Sequence, residues 1–505
     1  MEVLTALSNP AMYGGETVRR IDTHASTIFL AGARAIKIKR AVTFPFLDYS
    51  TLDRRKAACE AEIAVNQPYA PEIYRGIVAI TRQSDGALRI GGNGIPVEWA
   101  VDMRRFDENV TLDNLADRNL IDDTLADNLA RTVAIAHDKA PIAEAEPWLA
   151  AFKLYIGQND AAFQSDPSLF LLDDVERLKA SSLKIYERNY PLLVKRGADG
   201  FVRRLHGDLH LGNIVLLRDR PVLFDAIEFD PLVATGDVLY DLAFLIMDLI
   251  ERGLRPAANT VLNRYLQESV HLSHFDALAA LPLFLSMRAA IRAKVTAARR
   301  DGATATDRSG IERAAQRYFR LALEFLNPPQ AILLAIGGLS GTGKSVLARA
   351  IAPALGAAPG AVVLRSDVER KRQFGANETA RLPKEGYSSD ATKRVYSSLA
   401  ENAGRIVSAG HSAVVDAVYA DADERSEIAR VAIDRAITFR GMFLTADLKT
   451  RLSRVGRRAG DASDADQSIV RKQSLYKIGQ LDWNIVDATG SPQDTLAIVK
   501  TNLYS

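Results

Sequence analysis

The chain has little of the chemistry that would mark an oxidising compartment, a membrane or a nucleic-acid surface. Its single cysteine, Cys59, cannot form an internal disulfide, which fits a reducing cytoplasm. The longest uncharged apolar run, residues 277–287, is too short to span a bilayer. No basic segment followed by an apolar core opens the sequence, so no signal peptide is expected. The net charge of +2 is too small to indicate a nucleic-acid or membrane partner. We therefore expect a globular, cytoplasmic protein.

The pattern of apolar residues divides the chain into three parts, in line with the roughly three cores that 505 residues allow. Residues 1–105 are rich in short β-branched segments around a helix at Leu52–Asn66, and residues 106–327 are mostly helical. A Pro-Pro pair ends the last of these helices. Residues 331–505 alternate strands with helices, which is typical of a parallel sheet. The predicted strands are Thr27–Leu30, Arg34–Ile38, Arg75–Ile80, Ala331–Ile336, Ala361–Leu364, Ser412–Val415 and Thr438–Leu444.

The most specific motif is Gly338-Leu-Ser-Gly-Thr-Gly-Lys344-Ser345, which satisfies G-x-x-x-x-G-K-[ST] at every fixed position. It stands between a predicted buried strand and a predicted helix, as the motif requires. Glycines in such a loop let backbone N–H groups converge on phosphate oxygens, and the helix N-terminus adds positive potential. We expect Lys344 to reach the β- and γ-phosphates and the Ser345 hydroxyl to bind Mg²⁺. The residues predicted to bind the nucleotide are Gly338, Ser340, Gly341, Thr342, Gly343, Lys344 and Ser345.

A second set of hard oxygen ligands lies in His206-Gly-Asp208-Leu-His-Leu-Gly-Asn213, followed after another apolar run by Asp225. An aspartate, an asparagine five positions later and a second aspartate form the arrangement that kinases use. One carboxylate accepts the proton of the substrate hydroxyl, while the asparagine and the second aspartate bind Mg²⁺ on the phosphates. Phosphoryl transfer depends on positioning and charge neutralisation, which such ligands supply.

With this H-G-D-x-x-x-x-N loop, most of residues 20–250 resemble the aminoglycoside phosphotransferase family. The resemblance implies a two-lobe, protein-kinase-like domain, with an N-lobe that ends near residue 105 and a helical C-lobe. It also implies that Asp208 is the catalytic base and that Asn213 and Asp225 bind metal.

The resemblance extends upstream, where the strand that contains Lys37 is similar to the kinase V-A-I-K strand. It implies that Lys37 binds the α- and β-phosphates and that Glu62 is its partner on the following helix. Glu60 is the second choice, because it faces the other way on that helix. Lys39 is the alternative to Lys37, since both face the same side of the strand. Residues 98–103 resemble the hinge that meets adenine, unless they form an edge strand.

One kinase feature is missing, because no G-x-G-x-x-G covers the phosphates of this first site. The segment Thr23-His-Ala-Ser26 stands where that loop is expected. Its small hydroxyl residues are the available hydrogen-bond donors. We therefore expect the first half to hold phosphates more weakly than a kinase with the glycine loop.

Residues that follow the glycine loop at 338–345, here called the P-loop, indicate what the C-terminal part of the chain, the P-loop half, does. Asp367 follows a predicted strand, at the edge where open parallel sheets bind ligands, and Arg370 comes one helical turn later. This pair can accept a hydroxyl proton and hold an anion, unless Asp367 only caps a helix and Arg370 is solvated. The Asp-x-x-Arg pattern resembles P-loop kinases of the gluconate kinase, zeta toxin and polynucleotide kinase group. Asp416 ends the next strand and resembles a Walker B carboxylate that reaches Mg²⁺.

Three arginines further on, Arg451, Arg454 and Arg458, recur at three- and four-residue steps on a predicted helix. Such spacing places their guanidinium groups on one face. There they can close on the transferring phosphates as a lid, or simply be solvated. We predict that Arg454 and Arg458 act in catalysis and that Arg457 points away.

The predicted fold class is α/β and multi-domain, with a two-lobe α+β kinase-like domain followed by a P-loop domain on a parallel sheet. The predicted function is ATP- and Mg²⁺-dependent transfer of the γ-phosphate to a hydroxyl of a small molecule, such as a sugar or a related metabolite. Two alternatives stay open. One half can catalyse while the other binds nucleotide and regulates it, or the P-loop half can phosphorylate a polynucleotide 5′-hydroxyl. The near-neutral charge does not favour nucleic acid, and the oligomeric state is left open.

Overall fold

The computed structural model describes residues 2–44, 47–269, 271–302, 304–457, 462–476 and 478–504. It confirms a mixed α/β fold with one antiparallel and one parallel main sheet. Among the residues so described, no helix is long and apolar enough to cross a membrane.

Packing divides the chain into two compact units. The first contains residues 1–155 and 191–252, and the second contains residues 156–190 and 253–505. These units do not follow the helix break before residue 331, so the predicted boundaries near residues 105 and 327 stay predictions.

The first unit begins with an antiparallel sheet. Its elements up to residue 104 are α1 (Glu2–Leu7), β1 (Val18–Asp22), β2 (Ser26–Ala31), β3 (Arg34–Lys39), β4 (Thr43–Phe44), β5 (Leu47–Asp48), α2 (Leu52–Asn66), β6 (Tyr74–Arg82), β7 (Leu88–Ile90) and β8 (Ile95–Arg104). The main strands lie in the order β1-β2-β3-β8-β6-β7. The predicted helix at Leu52–Asn66 is confirmed with those bounds. The edge-strand reading of residues 98–103 is wrong, because β8 pairs with β3 on one side and β6 on the other.

The alternation of side chains along β3 decides which residues reach the site. Ile36 and Ile38 pack with Leu7 of α1 on one face of the sheet. Successive side chains of a strand point to opposite faces, so Lys37 and Lys39 point away from α1. The carboxylate they contact belongs to α2, which buries Glu62 against this second face.

Residues 108–252 form helices and two short antiparallel strand pairs, and of these residues 156–190 belong to the second unit. The elements of residues 108–252 are α3 (Leu112–Asp117), α4 (Asp123–Lys139), α5 (Ala145–Gln164), α6 (Leu172–Ala198), β9 (Val202–Arg204), β10 (Ile214–Leu217), β11 (Arg220–Leu223), β12 (Thr235–Asp237) and α7 (Val238–Glu251). Strand β9 pairs with β12, and β10 pairs with β11. The β9–β12 pair stands on either side of the polar, turn-rich stretch of residues 206–230, and the β10–β11 pair lies within it. Helix α7 is buried from residue 238 to residue 249, which suits its nearly continuous apolar sequence.

Besides residues 156–190, the second unit contains four α-helices before residue 330 and the parallel sheet. The helices before residue 330 are α8 (Arg255–Glu268), α9 (Ser273–Ala277), α10 (Leu281–Ala298) and α11 (Ala305–Phe325). The elements after residue 330 are β13 (Ile332–Gly338), α12 (Lys344–Ile351), β14 (Val362–Arg365), α13 (Ser366–Gln373), α14 (Ser389–Ser408), β15 (Ala413–Asp416), α15 (Ala422–Ile433), β16 (Thr438–Thr445), α16 (Leu448–Gly456), α17 (Gln467–Gln473), β17 (Asn484–Asp487) and α18 (Pro492–Tyr504).

The parallel sheet has the strand order β14-β15-β13-β16-β17, and every neighbouring pair is parallel. The four strands predicted in this part are confirmed, and β17 is an addition. Strand β13 is central and runs directly into the glycine loop. The carboxyl ends of β13, β14 and β15 meet at the same edge, where parallel sheets bind ligands.

Helix α8 covers the free edge of β14. The Asn263 side chain accepts a hydrogen bond from Val363 N at 2.7 Å. The Asn259 and Asn263 side chains both donate to Ala361 O, at 3.0 and 3.2 Å. Unpaired backbone groups of an edge strand are a liability, which these amides remove. A helix from the part predicted to be kinase-like therefore completes the P-loop sheet.

Candidate functional site

Lys37 is the centre of a chain of ion pairs in the first unit. Its ammonium nitrogen lies 2.9 Å from Glu62 Oε1 and 2.8 Å from Asp225 Oδ1. Burial lowers the pKa of Lys37, but the Asp225 and Glu62 carboxylates outweigh it and raise that pKa well above its ordinary value. Glu60 instead lies 3.7 Å from Lys56, with about half of its side chain exposed. The structure thus brings together Lys37, Glu62 and Asp225, and leaves Glu60 outside.

Lys39 contacts the same carboxylate as Lys37. Its ammonium lies 2.6 Å from Glu62 Oε2 and 2.5 Å from Glu228 Oε1. Burial raises the pKa of Glu62, but the Lys37 and Lys39 ammonium groups outweigh it and lower that pKa below the ordinary value. From the sequence, Lys37 and Lys39 were alternatives for one role. In the structure both ammonium groups contact the Glu62 carboxylate.

Two residues that the sequence did not single out hold the backbone beside Asp225. Asn66, one turn after Glu62 on α2, accepts from Ala226 N at 2.7 Å and donates to Ala226 O at 3.1 Å. The Tyr74 hydroxyl accepts from Asp225 N at 3.1 Å. Asp225 has a φ of 59°, in the left-handed region that non-glycine residues seldom adopt, so these contacts fix an uncommon conformation. The four-residue spacing from Glu62 was the available signal for Asn66.

The loop of Asp208 is closed on itself. Asn213 Nδ2 donates to Asp208 Oδ2 and to Asp208 O, each at 3.0 Å. Asn213 O accepts from Phe224 N at 3.0 Å, next to the predicted metal-binding aspartate. His210 Nε2 lies 3.3 Å from Asp208 Oδ2, and its Nδ1 accepts from Gly212 N at 3.1 Å. Because Nδ1 is an acceptor, a neutral His210 carries its proton on Nε2 and points it at Asp208.

Helix α7 supports this loop from beneath with two buried aspartates. Asp241 Oδ1 accepts from Gly207 N at 3.0 Å. Asp248 Oδ2 accepts from Leu211 N at 3.0 Å. The two carboxylates thus satisfy backbone groups on either side of the predicted catalytic base. Asp248 was not anticipated, although it lies on the same helix, seven residues after Asp241.

The turn that replaces a glycine loop uses its hydroxyl groups internally. Thr23 Oγ1 donates to Ser26 O at 3.0 Å and accepts from Ser26 N at 3.0 Å. Ser26 itself is buried. In this conformation the Thr23 hydroxyl is engaged within the turn, so the expected donors to phosphate are not presented here.

In the second unit, the glycines of the P-loop are required by close contacts. Gly338 has a φ of +136°, and a Cβ there would lie 2.6 Å from Leu444 O. Gly341 has a φ of +86°, and a Cβ there would lie 2.6 Å from Arg451 O. Gly343 also has a left-handed φ, of 96°, directly before α12 begins. Any side chain at the first two positions would push the loop off the sheet.

Side chains of the loop are held by backbone groups. The Thr342 hydroxyl and the Lys344 ammonium both donate to Leu339 O, at 2.8 and 3.4 Å. Ser340 N donates to Gln473 Oε1 at 2.7 Å, and Gln473 was not predicted to take part. The structure therefore places the predicted residues on one tight loop at the N-terminus of α12.

The metal-binding pair predicted in the P-loop half is in contact. Ser345 Oγ donates to Asp416 Oδ2 at 2.6 Å. Arg365, which the sequence did not assign, donates to Ser345 Oγ at 3.2 Å, and its Nε lies 3.5 Å from Asp416 Oδ2. Hydroxyl and carboxylate oxygens fit Mg²⁺, as do the oxygens of Asn213 and Asp225 in the first site. Among the described residues no group of three or more His, Cys, Asp or Glu side chains could hold a metal, so phosphate and water oxygens would have to complete either site.

Asp367 lies in the first turn of α13. Burial raises its pKa, and the nearby Asp416 carboxylate raises it further, while Arg365 and Lys344 act in the opposite direction. Asp367 therefore lies close enough to Asp416 and Lys344, the predicted metal-binding and phosphate-binding residues, for their charges to act on it. A raised pKa makes this carboxylate a stronger base than an ordinary aspartate.

Arg370 is buried, and its partners lie in the segment after α13. It donates to Gly386 O at 2.7 Å and stands 5.1 Å from the ring centroid of Tyr387. Tyr387 in turn donates to Asp464, which also lies 3.0 Å from Lys371 Nζ. In this structure Arg370 holds a loop, and its predicted contact with an anion stays a prediction.

The predicted lid arginines lie against the P-loop as far as the structure describes them. Arg451 is buried and donates to Ser340 O at 2.9 Å. Arg454 Nη1 donates to Thr342 O at 3.4 Å. Arg458 lies outside the described residues, so its role rests on the sequence alone.

Two family models match the chain. Residues 92–281 match the phosphotransferase enzyme family, and residues 333–476 match an AAA domain. The chain is an ATP-dependent phosphotransferase. The first match contains Asp208, Asn213 and Asp225, and the second contains the P-loop. Lys37 and Glu62 lie before both matches, so their assignment depends on the contacts described above.

Two curated relatives match the chain over nearly its whole length. Two uncharacterized proteins, one from Mycobacterium bovis and one from Mycobacterium tuberculosis, are each 27% identical over 481 residues, which is 94% of this chain and 91% of theirs. Among solved structures, a choline kinase from Cryptosporidium parvum covers 63% of this chain and 90% of its own, with 12% identity and a TM-score of 0.38. A sugar kinase from Janibacter covers 35% and 95%, with 17% identity and a TM-score of 0.28.

Proposed function

We propose that the chain is a bifunctional kinase that transfers the γ-phosphoryl group of ATP to a hydroxyl of a small molecule at two separate sites. One observation carries the proposal for the first site. The Lys37 ammonium lies 2.9 Å from Glu62 and 2.8 Å from Asp225. A lysine that binds phosphates next to a metal-binding aspartate must stand in such a position. The Ser345–Asp416 contact of 2.6 Å supports the same chemistry in the P-loop half.

In the first site we assign the proton transfer to Asp208. The acceptor hydroxyl loses its proton to the Asp208 carboxylate while its oxygen bonds to the γ-phosphorus. The bond from that phosphorus to the bridging oxygen breaks, and ADP leaves. Asn213 holds the Asp208 carboxylate through Oδ2, and Lys37 contributes positive charge to the phosphates. Bound Mg²⁺, held by Asn213 and Asp225, would neutralise charge on the phosphate oxygens.

In the P-loop site we assign the same step to Asp367, at the edge of the sheet where the glycine loop begins. Lys344 and the loop N–H groups receive the phosphates, and Ser345 and Asp416 supply the oxygens for Mg²⁺. Arg454 already lies against the loop at Thr342 O, and Arg458 is proposed to act beside it. The acceptors are proposed to be sugar-like or related alcohols, and the cytoplasm, where ATP is abundant, is the proposed location.

A second candidate function is regulation of one half by the other. The observation that favours it is the turn at Thr23–Ser26, whose Thr23 hydroxyl is engaged internally where a kinase has a glycine loop. In that case the first site binds nucleotide without transferring phosphate. The P-loop site alone would then be catalytic.

The test uses the full-length chain with a panel of alcohol metabolites and measures ADP release and phosphorylated product. We expect Asp208→Asn to abolish transfer to one acceptor and Asp367→Asn to abolish transfer to another. The exposed Asp138→Asn and Asp434→Asn serve as matched controls. If Asp208→Asn leaves every transfer unchanged while Asp367→Asn abolishes it, the regulatory alternative holds. If neither changes any transfer, the proposed function is wrong.

A further inference from the structure

Arg365 occupies a position that the proposed mechanism does not use. It is the last residue of β14, and it stands directly opposite Asp416 in the parallel pairing of β14 with β15. Both side chains therefore emerge at the ligand-binding edge of the sheet. Arg365 is buried, with 7% of its surface exposed.

The guanidinium of Arg365 closes a triangle with the two oxygens proposed for Mg²⁺. It donates to Ser345 Oγ at 3.2 Å and lies 3.5 Å from Asp416 Oδ2, while Ser345 Oγ itself donates to Asp416 Oδ2 at 2.6 Å. A guanidinium has donors and no acceptor. A hydroxyl that donates to a carboxylate and accepts from a guanidinium has only one lone pair left for a metal ion. The positive charge of Arg365 thus stands beside the oxygens that a divalent cation would need.

We infer that Arg365 is a positioning residue that keeps the metal position of the P-loop site closed until nucleotide arrives. The inference rests on the function proposed for this half. The side chain cannot share Ser345 and Asp416 with a second cation at this distance, because like charges repel strongly in a buried site. When a metal–nucleotide complex enters, the phosphates offer the guanidinium a new anionic partner. Free divalent cations bring no such partner, so they are excluded.

The inference predicts how the nucleotide-free protein binds a metal. In wild type, Arg365 competes with any free divalent cation. Arg365→Gln removes that competitor and leaves Ser345 and Asp416 in place. The variant should therefore bind Mn²⁺, used as a probe for Mg²⁺, about fivefold or more tightly than wild type in the absence of nucleotide.

The experiment is a Mn²⁺ titration followed by electron paramagnetic resonance of the free ion. All proteins carry Asp225→Asn, so that the first site contributes little to the signal. Arg372→Gln is the matched control. Arg372 pairs with Glu369 of its own helix, α13, at 2.7 Å, so this substitution removes the same charge at another place. A thermal melt of each variant reports whether it is folded. Arg365→Lys keeps the charge without the planar fork and is expected to show a smaller gain in the same direction.

The outcomes separate this inference from the proposed function. The Asp225→Asn protein should bind Mn²⁺ in the presence of AMPPNP, and adding Lys344→Ala should abolish that binding. If it does not bind, the function proposed for the P-loop half is wrong, and the inference with it. If it binds, but Arg365→Gln and Arg365→Lys take up Mn²⁺ without nucleotide no better than Arg372→Gln, the inference alone is wrong. The result expected is tighter Mn²⁺ binding by Arg365→Gln than by Arg372→Gln, with a smaller gain for Arg365→Lys.

Discussion

The carboxylate of Glu62 is shared by two lysines of one strand. Lys37 Nζ lies 2.9 Å from Oε1, and Lys39 Nζ lies 2.6 Å from Oε2. Glu62 is fully buried, so its charge depends on these partners. They lower its pKa against the effect of burial, and the carboxylates around Lys37 raise the pKa of that ammonium. The Glu62 carboxylate likewise raises the pKa of Lys39 against the effect of burial, so all three groups are charged at neutral pH.

Removing the shared charge should destabilise the first unit. Glu62→Gln leaves two buried ammonium groups without their common partner, and we expect the free energy of unfolding to fall by about 3 kcal/mol. Glu60→Gln on the same helix removes an exposed pair and should cost less than about 0.5 kcal/mol. Chemical denaturation of both variants measures the difference. Equal effects would contradict the arrangement.

The pH dependence of this difference follows from the directions of the two pKa shifts. A lowered Glu62 pKa gives stability that is present above the ordinary value of 4.5 and is lost as pH falls through the folded pKa. A raised Lys37 pKa gives stability that is present below 10.5 and is lost as pH rises through the folded pKa. The gap between wild type and Glu62→Gln should therefore be flat at neutral pH and shrink in strong acid and strong base.

Asn66 should act on the metal affinity of the first site. Its side chain exchanges two hydrogen bonds with Ala226, so Asn66→Ala frees the backbone next to Asp225. We expect the Mg²⁺ concentration for half-maximal ATP binding to rise about tenfold, which corresponds to about 1.4 kcal/mol. Asn128→Ala, at an exposed position of α4, is the control. A purely structural role would lower the melting temperature without moving the Mg²⁺ dependence.

His210 should affect the chemical step of the first site more than nucleotide binding. Its Nε2 points at Asp208 Oδ2 from 3.3 Å, with the tautomer set by the Gly212 N–H. His210→Ala releases the orientation of the base, and we expect kcat to fall about tenfold, or about 1.4 kcal/mol of barrier. The KM for ATP should stay within about twofold, because His210 touches no predicted phosphate ligand. Steady-state kinetics with the acceptor of this site decide the point. A change confined to KM would be the contrary outcome.

Asp367 should carry opposite consequences for stability and for transfer. Burial, with help from Asp416, raises its pKa, so the folded state holds its proton more tightly than the unfolded state. Stability from this group falls as pH rises from the unfolded pKa through the folded pKa. Asp367→Asn avoids the buried charge. Its melting temperature should therefore be higher than that of wild type at neutral pH and no higher in acid. Thermal melts across pH test this, while phosphate transfer at the P-loop site should be lost.

The sequence predicted what depends on local spacing. The glycine loop follows from a fixed motif, and the Lys37–Glu62 pair follows from the resemblance to the kinase V-A-I-K strand. The bounds of α2 were predicted as Leu52–Asn66 and are confirmed. Four strands of the parallel sheet were recognised by their apolar runs. Strand β17 was missed, because Asn484–Asp487 is short and half of it is polar.

Contacts between residues far apart in the chain could not be predicted from the local sequence pattern. The Asn66 partner lies 160 residues away, and the Arg365–Asp416 pairing depends on the register of two parallel strands. Helix α8 reads like the helices before it, yet its Asn259 and Asn263 bind the edge of β14. Nothing in the local sequence of these residues distinguishes them from solvated polar positions.

Two separate nucleotide sites on one chain should bind two molecules of nucleotide. Isothermal titration calorimetry of the full-length chain with Mg²⁺ and AMPPNP tests it directly. We expect two equivalents bound to wild type, one each to Lys37→Ala and Lys344→Ala, and none to the double variant. A single equivalent in wild type, or binding that neither substitution reduces, would contradict it.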